Sequence, residues 1–308
     1  MKKIQNNQHY FKISRQNPEI ILDSFYIFDE KNPQLQKYIS NTKEIKNILI
    51  TIRTLQQKNE NRQVIAKYFL ELSKILGKFS NCSEFACFIN ACDSFLAMVK
   101  NDIILLEKIA ERYFAKRILN EAVPEEWIQA ILDSNSGRKK GQCGEKKLLR
   151  ILAKYNFPEV KNWTDFYKKQ KCVAKFSKIF NLKNVRKNLN IRLATKKQNK
   201  KLDLIIKVNN KIFLCEAKHI NTSGGGQDKQ IAELIEIISL KEQNKNIFYV
   251  AFLDGSYSNI LLSDKNKGDK LATQRKEIQK YLLHNPNNFW VNTAGFKALF
   301  CNKLGRLR

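Results

Sequence analysis

Asp203, Glu216 and Lys218 are the residues whose types and spacing could do chemistry. Asp203 lies in the run LDLIIKV, Glu216 and Lys218 lie in the run KIFLCEAKH, and Asn209 and Asn210 stand between the runs. Both runs read as core strands, where a carboxylate or an ammonium is costly unless something compensates it. Asparagine tolerates positive φ, so the two asparagines can form a two-residue hairpin turn that pairs Val208 with Lys211. That register puts Asp203 directly opposite Glu216, and facing side chains have Cβ atoms only about 4.5–5.5 Å apart. Lys218, two residues beyond Glu216, shares its face because strand side chains alternate. Two carboxylates held that close repel unless a cation neutralises them. Hard oxygen ligands of this kind suit Mg²⁺, with Mn²⁺ as a substitute and the remaining sites left to water and phosphate. The chemistry would be metal-assisted hydrolysis of a phosphodiester, with Lys218 touching the attacking water or the scissile phosphate. The plainer reading is an ordinary ion pair of Lys218 with one acid. It weakens once the hairpin register, the basic loop beside it and Glu145 upstream are counted together.

The elements that must position these groups divide the chain in two. Residues 43–57, 61–77 and 84–117 carry apolar positions three and four apart, as amphipathic helices do, and Pro124 opens a further short helix ending near Leu132. A mainly helical N-terminal domain is therefore expected over 1–133, followed by a basic domain over 134–308. The run DSNSGRKKGQCG has no periodicity and reads as a linker at 133–143. Beyond it a helix is expected from Glu145 to Tyr155, with Glu145 extending the apolar stripe of Leu148, Leu152 and Tyr155 by one turn. A second helix is expected at Trp163 to Phe180, a strand at Leu189, Ile191 and Leu193, and a loop at the KKQNKK of 196–201. After the EAK run, Ile231, Leu234, Ile235 and Ile238 mark a helix, and FYVAFL a strand.

Charge follows the same division. The chain has 308 residues and a formal charge of +27, of which about +3 falls on residues 1–135 and +24 on residues 136–308. No acid lies between Asp165 and Asp203, a stretch that holds thirteen lysines and arginines. Such a field attracts and steers a polyanion, so nucleic acid is the expected partner. No apolar run reaches the ~20 residues of a membrane span. The basic start MKK has no apolar segment behind it to make a secretory signal, and a cytoplasmic protein is expected. Seven cysteines include no CxxC pair. Free thiols rather than disulfides or a zinc site are expected.

An acid on a first helix, a strand with Asp203, a strand with Glu216-Ala217-Lys218, a helix and another strand resemble the PD-(D/E)XK nuclease superfamily over roughly residues 141–255. The wording CEAKH, followed by a helix and FYVAFLDGS, is similar to restriction endonucleases of the EcoRI kind. The resemblance implies an α/β core of mixed sheet flanked by helices, and a type II restriction endonuclease that cuts double-stranded DNA with Mg²⁺. Catalytic roles would fall on Asp203, Glu216, Lys218 and Glu145, the three acids serving the metal. Leu202 stands where the motif is written with Pro, a position that supplies no ligand.

Other residues have less to support them. Lys196, Lys197, Lys200 and Lys201 are candidates for DNA phosphate contact. Gln227 and Gln230 could bind a phosphate oxygen or an active-site water, or could equally satisfy neighbouring backbone. Strand alternation turns His219 away from the acids, so a structural or DNA-proximal role is expected for it. Tyr257, beyond the turn at Asp254-Gly255, reads as DNA-facing or merely packed. Palindromic recognition would imply a homodimer. Two alternatives stay open: a nuclease without sequence preference on the same core, and a non-catalytic basic nucleic-acid-binding protein whose acids pair with lysines.

Overall fold

A computed structural model describes residues 4–135, 137–195, 201–222, 224–264 and 268–300, with the backbone alone for 137–142. In chain order the elements are α1 (Asn7–Gln16), α2 (Leu35–Gln57), α3 (Arg62–Ile75), α4 (Glu84–Ala91), α5 (Leu96–Lys100), α6 (Ile103–Lys116), α7 (Glu125–Ser134), α8 (Gly137–Lys154), α9 (Trp163–Lys168), β1 (Lys171–Lys175), α10 (Leu182–Leu189), β2 (Leu204–Val208), β3 (Lys211–His219), α11 (Gly225–Ser239), β4 (Ile247–Asp254), α12 (Ser256–Leu262), α13 (Asp269–His284), β5 (Asn288–Val291) and α14 (Thr293–Phe300). They form two compact units. One is Phe28–Gly137, and the other joins the residues up to Ile27 with those from Arg138 onward.

The unit Phe28–Gly137 is helical among its described residues. Ile45, Leu49 and Ile52 of α2, spaced three and four apart, meet Phe69 and Leu72 of α3 and Leu106, Ala110 and Tyr113 of α6 in one core. The expected helical stretch at 84–117 divides into three helices. Asp102 restarts the last of them by accepting the Leu105 N–H at 3.0 Å, a side-chain N-cap.

The other unit is a five-stranded sheet in the order β1-β2-β3-β4-β5, antiparallel from β1 to β3 and parallel from β3 to β5. Helices flank both faces. Phe213, Cys215 and Ala217 of β3 share one face with Val250 and Phe252 of β4, and α8, α14 and Tyr10 of α1 cover it. The opposite face is covered over β1 and β2 by residues of α9 and α10, and over β4 and β5 by residues of α11, α12 and α13.

Several expectations need correction. The proposed linker at 133–143 is largely helix: α7 runs to Ser134, and α8 begins at Gly137, eight residues before Glu145. The expected helix from Trp163 to Phe180 stops at Lys168, and β1 follows. Cys172 and Ala174 of β1 fill one face of the sheet and Val173 the other. No strand forms at 189–193: Leu189 ends α10, left-handed Asn190 (φ 51) caps it, and residues 191–193 follow without regular structure. The alternation is real, since Ile191 and Leu193 are buried, but the backbone N–H groups of Arg192 and Leu193 donate to the Glu242 carboxylate rather than to a neighbouring strand. Residues up to Ile27 also do not join the helical unit that 1–133 implied. The Asn7 side-chain amide donates to the Leu282 and Asn288 carbonyls at 2.7 and 2.9 Å, and Asn292 donates to the carbonyls of Ser14 and Asn17. These bonds fasten α1 to the sheet's far edge.

Candidate active site

The hairpin forms as its sequence requires. Asn209 takes φ 54, Val208 pairs with Lys211, and the register runs on to Leu204 against Cys215. Beyond that pair the ladder breaks. A continued antiparallel register would send the Ala217 N–H to the Leu202 carbonyl. The Asp203 carboxylate accepts it instead, at 2.7 Å, while the Asp203 N–H donates to the Cys215 carbonyl at 3.0 Å. Leu202 turns into the core beside α10. The acid therefore sits where β2 parts from β3, held by a backbone N–H on the strand that carries Glu216 and Lys218.

Glu216 is buried, and its Oε1 lies 2.6 Å from the Lys218 Nζ. Asp203 is pushed up from 3.8 to about 7. Burial is the main cause and the Glu216 charge the next, with Glu145 adding to the rise and the Ala217 N–H and Lys218 opposing it. Burial alone would lower Lys218, but Glu216, Asp203 and Glu233 outweigh it and raise its pKa, so the ammonium is retained at neutral pH.

Glu145 lies at this site but faces a partner of its own, the Lys175 Nζ at 3.1 Å. Among the described residues no three His, Cys, Asp or Glu side chains converge as a ready metal cage. Two groups escaped the sequence reading. Glu233 of α11 approaches the Lys218 Nζ at 3.5 Å, and Lys175 of β1 holds Glu145. A signal for Glu233 existed, because it follows Gln230 by one helical turn on the side that approaches β3. Lys175 had none while β1 was read as helix.

The remaining candidates spread out. Gln227 folds back on the start of α11, its Oε1 near Gly224, and Gln230 is half-buried one turn before Glu233. Lys201 is exposed, whereas Lys196, Lys197 and Lys200 lie outside the described residues. His219 is turned to the opposite face from the acids, as alternation requires, and stacks on Tyr26 with ring centroids 3.6 Å apart. Tyr257 is packed, its hydroxyl donating to Gln274 at 3.2 Å.

A model of the DpnII restriction endonuclease family matches residues 128–281, half of the chain, a span that includes Glu145, Lys175, Asp203, Glu216, Lys218 and Glu233. The chain belongs to the DpnII restriction endonuclease family. Membership makes it a DNA-cleaving hydrolase. The family that matches is DpnII, not the EcoRI kind that the wording around Glu216 resembles. No curated protein and no solved structure matches. No described helix is long and apolar enough to cross a membrane. The DpnII match begins within α7 and leaves out α1, β5 and α14, so it neither includes nor explains the residues that fasten the N-terminus to the sheet.

Proposed function

We propose that this DpnII-family protein is a type II restriction endonuclease with a PD-(D/E)XK core, hydrolysing both strands of double-stranded DNA at a specific site with Mg²⁺. The observation that carries the reading is the pairing of Asp203 and Glu216 at the break in the β2–β3 ladder, with Lys218 on the same face. A carboxylate raised to about 7 beside a second carboxylate is a site short of positive charge. That donor set fits Mg²⁺, which is commonly held by one or two carboxylates, with water and phosphate completing the shell. Asp203 and Glu216 would hold the ion, and Glu145 would support it from α8. When bound, Mg²⁺ supplies Lewis-acid polarisation of a phosphoryl oxygen and a more acidic water.

The chain's own groups do the rest. Lys218, kept charged by Glu216 and Glu233, is placed to orient the attacking water or to stabilise negative charge building on the phosphate. Lys175 keeps Glu145 directed at the site. Lys196, Lys197, Lys200 and Lys201 would contact the DNA backbone. A homodimer would read a palindromic site with matching symmetry.

Incubation of a plasmid of known sequence with the protein and Mg²⁺, with EDTA as control, tests this reading. Discrete bands that disappear with EDTA are expected, because correct base contacts are coupled to assembly of the site. A smear at limiting protein would mean a nuclease without sequence preference. Retarded but uncut DNA with both Mg²⁺ and Mn²⁺ would mean a binding protein.

The basic run KKQNKK has a separate expected result. Replacing Lys196, Lys197, Lys200 and Lys201 by Gln should weaken binding to all sequences alike and lower the slope of log affinity against log salt by about 2–4, the loss expected for that many phosphate contacts. An unchanged slope in a binding titration would place these lysines away from DNA.

A further inference from the structure

A second buried cluster lies behind β3. Lys147 of α8 is almost fully buried, with its Nζ 2.7 Å from Asp254 Oδ2, 2.8 Å from Asp23 Oδ2 and 3.7 Å from Glu19 Oε2. The Tyr26 hydroxyl donates to the same Asp254 oxygen at 2.6 Å, and the Tyr26 ring stacks on His219, the residue after Lys218. Three of these groups, Glu19, Asp23 and Tyr26, come from the segment between α1 and the helical unit. Glu19 is itself fixed, since its Oε1 accepts the Thr293 N–H and its backbone N–H donates to Asn259.

Stability alone does not account for this arrangement. Three carboxylates around one almost fully buried ammonium, with Glu19 and Asp254 buried and Asp23 partly exposed, bring desolvation costs that apolar side chains of the same volume would avoid. What the cluster supplies is geometry. Lys147 and Glu145 are two residues apart on α8, so they project from roughly opposite sides of the helix. With Lys147 drawn to the end of β4, Glu145 is turned toward Lys175 and Asp203. The helix also approaches closely. A Cβ at Gly144 would lie 3.9 Å from both the Ala217 Cβ and the Tyr26 hydroxyl, and Ala217 stands between Glu216 and Lys218.

We propose that residues 19–26 form a clasp that sets the position of Glu145 at the cleavage site, with Lys147 as the positioning residue through which the clasp acts. The inference rests on the assignment of Asp203, Glu216, Lys218 and Glu145 to that site. The DpnII match starts at residue 128 and does not include the clasp.

A double-mutant cycle tests it, read as single-turnover cleavage of a plasmid that the wild-type protein cuts. Asp23→Asn, Tyr26→Phe and Lys147→Met are each made alone and on a Glu145→Gln background, with DNA affinity and melting temperature followed in parallel. Asp23 is on the open side of the cluster and Tyr26→Phe keeps the ring, so these two remain folded if Lys147→Met does not. Each single variant should cut about tenfold more slowly with affinity unchanged, because a displacement near 1 Å at a reacting centre costs that much or more. On the Glu145→Gln background none should add a further loss, since both changes act on one group. A purely structural role would give losses that multiply, and that result overturns the proposal. Wild-type rates in folded Asp23→Asn and Tyr26→Phe overturn it too. Asp203→Asn is run alongside: if it stays inactive while Glu145→Gln cuts at the wild-type rate, the clasp fails and the site stands. If Asp203→Asn cuts at the wild-type rate, the reading of the site fails and the clasp with it.

Discussion

Asp203→Asn should lower DNA cleavage by about 10³ or more and, in the same preparation, raise the melting temperature of the metal-free protein at pH 8. The two effects have one origin. In the folded chain the Asp203 carboxyl is pushed up from 3.8 to about 7, so the folded state holds a proton that the unfolded state gives up more easily. Its contribution to stability is therefore complete below about pH 4 and is lost as pH rises through 7. At pH 8 the wild-type protein must keep Asp203 ionised beside Glu216. An asparagine has no charge to keep there, and its carbonyl oxygen still accepts the Ala217 N–H. A gain of roughly 2–6 °C is expected at pH 8, corresponding to one or two kcal/mol in a protein of this size, and it should shrink towards zero near pH 4. Thermal melts in EDTA across that range check the sign. A variant that melts lower at pH 8, or one that still cuts, would remove Asp203 from the site.

Gly255→Ala should destabilise the sheet unit by roughly 3–5 kcal/mol. Gly255 follows Asp254 with φ +90, a conformation that L residues rarely adopt. An added Cβ would overlap the Ile220 carbonyl oxygen and stand 2.6 Å from Asn221 Oδ1. Neither neighbour is free to retreat. The Ile220 carbonyl accepts the Tyr257 N–H at 3.0 Å, the Asn221 side chain accepts the Ser256 N–H, and the Gly255 N–H itself donates to Asp254 Oδ1. Urea unfolding followed by tryptophan fluorescence measures the effect, since Trp290 is fully buried in the sheet. A midpoint shift worth less than about 1 kcal/mol would mean that the turn relaxes at little cost.

The hairpin was legible because its register is arithmetic. A two-residue turn at Asn209-Asn210 leaves no choice of partner, so the sequence alone brings Asp203 and Glu216 together. The start of α8 was not legible. GRKKGQ has two glycines and no apolar residue, so the helix over 137–142 leaves no stripe to recognise. β1 was missed for the opposite reason: KCVAK is too short and too mixed to announce a strand, and only the neighbouring β2 makes it one. The buried partners of Lys147 were beyond reach altogether. Asp254 is 107 positions away and Glu19 and Asp23 more than a hundred in the other direction, and nothing local in any of those segments reports the others.

Fastening α1 to residues 282–293 also sets a timetable for synthesis. The helical unit occupies one continuous stretch, Phe28–Gly137, and can fold as soon as that stretch has left the ribosome. The sheet unit cannot. Asn7, Ser14 and Glu19 are made well before their partners at Leu282, Asn288, Asn292 and Thr293, so this segment must wait while more than 270 residues are translated. At typical elongation rates the sheet's closing partners follow the helical unit by roughly 10–30 s. Throughout that interval Glu19 lacks its anchor and β4 lacks its neighbour β5. A nascent DNA-cutting chain is in this way kept incomplete until β5 and Thr293 arrive.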